Sequence, residues 1–102
     1  MTELTDSLVE RLLAKTKAGE INWRESVRSD EYTASFPSSS VGIIFENGGY
    51  SLRLYNDAGI LINETPVKRA PALSQMMELL GLAKRQSLRV DETLQELLKE
   101  LA

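Results

Sequence analysis

The sequence predicts an α+β domain: a first helix, a four-stranded antiparallel meander, then a long C-terminal helical region packed on one sheet face. Three observations carry this. Apolar residues fall at helical spacing near the start, switch to a period of two between residues 31 and 64, and return to helical spacing from residue 72 onward. With 102 residues, 42% of them apolar and 26% charged, the chain suits a single domain over 1–102 that buries roughly two-thirds of its unfolded surface.

The first helix is expected over residues 3–18. Leu4, Leu8, Val9, Leu12 and Leu13 share one face, and Thr2 or Thr5 suits the N-cap. Lys15 and Lys17 favour the negative end of the helix dipole, and Gly19 stops the run. The charged link from Glu20 to Arg28 contains Ile21 and the chain's one tryptophan, Trp23. That residue either plugs one end of the core or anchors a ligand or partner.

Strands are expected over residues 32–36, 41–46, 50–55 and 60–63. Asn47-Gly48 is a two-residue type I′ hairpin signal, because both central residues need positive φ. Asn56-Asp57-Ala58-Gly59 fits a type I turn closed by a glycine bulge. These two turns set Phe45 opposite Tyr50, Ile43 opposite Leu52, Val41 opposite Leu54, Leu54 opposite Ile62 and Asn56 opposite Ile60. All the apolar members then share one face, which a one-residue slip would destroy. The other face takes Ile44, Ser51, Arg53, Tyr55, Leu61 and Asn63, a mixture of polar and apolar groups.

Pro66 and Pro71 bracket a short connector. From Leu73 an apolar seam continues through Met76, Leu80, Ala83, Ser87, Val90, Leu94 and Leu97 to Leu101, flanked by Leu98. One continuous helix of this length would be about 46 Å long, whereas a domain of this size is about 34 Å across. The sheet covers only part of such a seam. Either the helix breaks near residues 87–91, where Ser87 or Asp91 suits an N-cap, or it runs on and packs against a second copy. No glycine or proline lies between Leu82 and Ala102, which favours a long or slightly bent helix. A homodimer joined through Val90, Leu94, Leu97, Leu98 and Leu101 is therefore expected.

Composition narrows the chemistry. The chain has no histidine and no cysteine, which excludes thiol nucleophiles, Ser-His-Asp triads, disulfides and zinc sites built on those ligands. Asp30-Glu31 and Asp91-Glu92 are adjacent acids whose side chains diverge, and they read as solvated charge. Neither the serines at 38–40 nor Gly48-Gly49 sits in a nucleophile elbow or a phosphate loop. No catalytic residue, cofactor or metal is expected. The acidic start lacks an apolar leader run and no stretch reaches membrane-span length, so a cytoplasmic setting is expected.

Charge is uneven. Residues 66–89 carry Lys68, Arg69, Lys84, Arg85 and Arg89 against Glu78 alone, whereas residues 90–102 carry four acids against Lys99. With a net charge of -3 and no interleaved aromatics, nucleic acid is not the expected partner. The basic half of the helical region instead complements the acidic half of a second copy.

The functional expectation is a non-enzymatic interaction module. It self-associates through the C-terminal seam and offers Trp23, Arg53, Tyr55 and Leu61 to a second protein. Two alternatives stand beside it. One is a small-ligand sensor with a pocket between sheet and helix near Trp23, Tyr50 and Tyr55, with Arg53 gripping an anionic group. The other is a small acidic inhibitor of a basic partner, of the antitoxin kind.

Overall fold

Helix α1 (Thr2–Lys17) opens the chain, and Gly19, at a φ of 76°, ends it as the sequence requires. The computed structural model describes residues 2–26 and 30–102, so Val27 and Arg28 of the link lie outside the described residues. An antiparallel sheet follows in the order β1 (Arg24–Glu25), β2 (Glu31–Phe36), β3 (Ser39–Glu46), β4 (Gly49–Asn56) and β5 (Leu61–Val67). Two helices complete the α+β architecture, α2 (Ala72–Ser87) and α3 (Val90–Leu101).

The β3–β4 hairpin has the expected register. Asn47 and Gly48 both take positive φ, and Phe45 faces Tyr50, Ile43 faces Leu52 and Val41 faces Leu54. The Phe45 and Tyr50 rings meet at 4.7 Å between centroids, a tilted aromatic pair.

Three details depart from the sequence reading. The sheet has five strands, because Arg24 and Glu25 pair with Thr33 and Tyr32. Strand β5 runs through Pro66 to Val67, beyond the predicted end; as an edge strand it tolerates a residue without an amide proton. The third departure is the register of β5. The turn forms as expected: the Asn56 amide donates to the Ile60 carbonyl at 2.9 Å, and Asn56 Oδ1 accepts the amides of Ala58 and Ile60. Just past it, however, Tyr55 faces Leu61 while Leu54 faces Asn63, so Ile62 is an extra residue in a β-bulge. The slip moves Asn63, Thr65 and Val67 to the core side and leaves Ile60 and Ile62 each 61% exposed, not buried as the turn reading implies.

The core lies between one sheet face and the α1/α2 pair. Val9, Leu12 and Leu13 from α1 and Ala72, Met76, Leu79 and Ala83 from α2 pack on Tyr32, Ala34, Val41, Ile43, Leu52 and Val67. Trp23 joins this cluster, and its indole donates to Thr16 Oγ1 at 2.9 Å. A Lys17–Glu78 ion pair links the two helices at the surface.

The long helix is broken. Arg89 takes the left-handed conformation (φ 55°, ψ 44°) between α2 and α3, at the place where the alternative reading put a break. The end of α2 is tied to the β1 segment: the Trp23 amide donates to Gln86 Oε1, Gln86 Nε2 donates to the Ile21 carbonyl, and the Glu25 amide donates to Ser87 Oγ. These bonds hold the helix end against the sheet. The chain turns immediately afterwards, and the molecule measures 52 × 32 × 27 Å.

Candidate interaction surfaces

Two surfaces contain the residues singled out in the sequence. The first is α3. Its seam, Val90, Leu94, Leu97, Leu98 and Leu101, stays on one side of the helix, as the three- and four-residue spacing demands. No residue of α3 is buried. The leucines at 94, 97, 98 and 101 are 47%, 46%, 69% and 81% exposed. The helix is held at its base by charge, Arg85 to Asp91 at 2.5 Å and Arg89 Nε to Glu92 at 2.7 Å. Glu92 also raises the Arg89 pKa, chiefly through that hydrogen bond. Exposed pairs of this kind orient the helix more than they stabilise it.

The second surface is the sheet face away from the helices. Register puts Glu31 on β2, Gly42, Ile44 and Glu46 on β3, Arg53 and Tyr55 on β4, and Glu64 and Leu61 on β5. Arg53 is its centre. The guanidinium donates from Nε to Glu64 Oε1 at 2.7 Å, lies 3.6 Å from Glu31 Oε1 through Nη1, and 3.6 Å from Glu46 Oε2 through Nη2. The Tyr55 hydroxyl donates a short hydrogen bond to Glu31 Oε2. Although they lie on the face without helices, Glu31 and Arg53 are only 2% and 7% exposed.

Gly42 makes this network possible. It lies between Thr33 on β2 and Arg53 on β4, and its missing side chain leaves room for Glu31 to cross β3 and reach Tyr55. Burial alone lowers the Arg53 pKa. Hydrogen bonds with Glu64 and Tyr55 and the charges of Glu64 and Glu31 outweigh it and leave the pKa raised. The Tyr55 pKa is also raised, first by burial and then by its bond to Glu31, with Arg53 opposing. A phenol held protonated in this way is a donor and not a base.

The expected contact residues therefore divide. Arg53, Tyr55 and Leu61 share a face, with Leu61 exposed and the other two engaged in the network. Trp23 is a core residue on the opposite side of the sheet, 3% exposed, so its ring does not reach that face. Tyr50 also lies on the core face, so Trp23 and Tyr50 are separated by the sheet from Arg53 and Tyr55. Glu31, read as solvated charge from its neighbour Asp30, is instead the buried anion of the network. The signal that identifies it is cross-strand: a glycine in mid-strand, with an arginine opposite it on one neighbouring strand and an acid two residues from its partner on the other.

Among the described residues there is no group of three or more acids, histidines or cysteines placed to hold a metal, and no helix long and apolar enough to cross a membrane. No protein family, curated protein or solved structure matches the chain.

Proposed function

We propose that this protein is a non-enzymatic, cytoplasmic interaction module that self-associates as a homodimer through α3. The observation that supports it is the amphipathic helix itself, whose four leucines are exposed beyond a core that contains no α3 residue. A 12-residue helix is too short to persist in water on its own propensity, and tertiary packing of its apolar face is the usual source of stability. Burying the exposed part of one such leucine, 46–81% of each, is worth about 1–2 kcal/mol.

The arginine network supports the same class of function. Its carboxylates are already bonded to Arg53 and Tyr55, and the raised tyrosine pKa suits a structural donor. Sedimentation velocity at tens of micromolar tests the proposal: a dimer is expected, and a monomer across that range overturns it. Leu97→Asp should convert the dimer to a monomer while leaving the far-ultraviolet spectrum of the α1–sheet–α2 body in place.

A further inference from the structure

Self-association through α3 leaves open what the helix packs against. The free side of α2, away from α1, supplies a surface. Ala72, Met76, Leu79 and Ala83 face the core, and Gln86 is bonded to the β1 segment. Between a quarter-turn and a half-turn round the helix lie the half-buried Leu73 and Leu80, the latter packed against the core edge, then Met77, Lys84, Leu88 and Gly81. Met77 and Leu88 are 52% and 50% exposed, and a β-carbon at Gly81 would meet nothing within 4 Å. This is a shallow apolar stripe with a notch at its middle.

We propose that α3 of one copy docks antiparallel on this stripe of a second copy, about a two-fold axis beside Arg89; the proposal rests on the self-association reading and deepens it. Three observations select this occupant. The first is register. Pairs equidistant from Arg89 are Leu88 with Val90, Lys84 with Leu94, Gly81 with Leu97, Leu80 with Leu98 and Met77 with Leu101. Each seam residue of α3 meets an apolar residue, the glycine notch or the stem of Lys84, whose methylenes cover a leucine while its ammonium reaches water. A two-fold axis along the bisector of the angle between α2 and α3 sets α3 antiparallel to the partner's α2, so the break at Arg89 is compatible with the pairing.

The second observation is charge. Residues 79–89 carry Lys84, Arg85 and Arg89 and no acid, whereas α3 carries Asp91, Glu92, Glu96 and Glu100 against Lys99. Arg85 and Arg89 are paired with Asp91 and Glu92 of their own chain, so antiparallel exchange adds Lys84 beside the acidic α3 of the partner copy, which favours this orientation. The third is area. The exposed parts of Met77, Leu88 and the leucines at 94, 97, 98 and 101 come to roughly 700 Å² per copy, close to the ~800 Å² per partner of a standard stable interface. Packing α3 against α3 alone would leave Met77 and much of Leu88 uncovered.

The absence of cysteine allows a direct test. Gly81→Cys and Leu97→Cys are made separately in the full chain, one of them with a mass tag, then mixed at tens of micromolar and mildly oxidised. The expected result is a shift from the 11.4 kDa chain to a cross-linked species of mixed composition, well above what either variant forms alone. Efficient cross-linking of Leu97→Cys with itself would overturn the proposal in favour of α3 against α3. Absence of the mixed product while both variants sediment as dimers would overturn it as well. A wild-type monomer by sedimentation would instead remove self-association itself, so the two failures are distinguishable.

Discussion

The Glu31 carboxylate lies directly over Gly42: a β-carbon at position 42 would clash with Glu31 Oε2 and meet Tyr55 Cε2 at 3.1 Å. The carboxylate is held by Tyr55 and Arg53 and cannot simply swing aside. Gly42→Ala should therefore destabilise the fold by about 2–3 kcal/mol, an overpacking cost with loss of the network's geometry added. Urea titration followed by Trp23 fluorescence measures it. A loss below half a kcal/mol would show that the network has room to move.

Arg53→Leu leaves Glu31 buried without its cation and should cost about 3 kcal/mol, whereas Arg53→Leu combined with Glu31→Leu should cost clearly less than the two single changes together. A double-mutant cycle in urea reads the coupling directly. Additive losses would mean that the two groups do not sense each other.

Alkaline pH provides a separate check. Tyr55 and Tyr32 both have pKa values raised above 10.0, Tyr55 by burial and its bond to Glu31, Tyr32 by burial and the charges of Glu25 and Asp30. A tyrosine raised in the folded state contributes stability in full below its unfolded pKa and loses it as pH climbs through the folded value. Stability should hold up to about pH 10 and fall above it, with tyrosinate absorbance appearing together with unfolding. Tyr55→Phe should flatten that fall while lowering stability at pH 7 by about 1.5–3 kcal/mol, the worth of a hydrogen bond to a charged group.

Arg89 holds a left-handed backbone without being glycine. Arg89→Gly should raise the urea midpoint, because the relief of backbone strain exceeds the loss of an exposed pair with Glu92. Arg89→Val should lower it, since a branched β-carbon worsens the same clash. Urea midpoints for the two variants should move in opposite directions.

If α3 joins two copies, thermal stability is linked to concentration. The unfolding midpoint of the wild type should rise as the chain is taken from one to one hundred micromolar, and that of Leu97→Asp should stay constant. Differential scanning calorimetry compares them.

Local chemistry decided which parts of this architecture were legible. The Asn47-Gly48 hairpin was, because two positive-φ residues admit one loop length and so one register for Val41, Ile43 and Phe45. The β4–β5 register was not. Its turn formed as read, but the bulge at Ile62 inserts a residue that no glycine or proline marks. The two-residue strand at Arg24 is too short and too charged to show a period. The break at Arg89 lacks the usual glycine, and it follows the side-chain bonds that Gln86 and Ser87 make to a segment more than sixty residues earlier in the chain. The α3 seam was legible because its leucine spacing is local. Glu31 was missed because its burial depends on Gly42 and Arg53, which only strand pairing brings beside it.

The outer edge of β5 has a consequence of its own. The bulge at Ile62 bends the strand and Pro66 interrupts its row of amide donors, while at the opposite edge β1 offers only two residues. Both features blunt the borders of the sheet against adding a further strand edge to edge. Under the proposed pairing through the helices, a two-fold contact would close on itself and growth would stop at two.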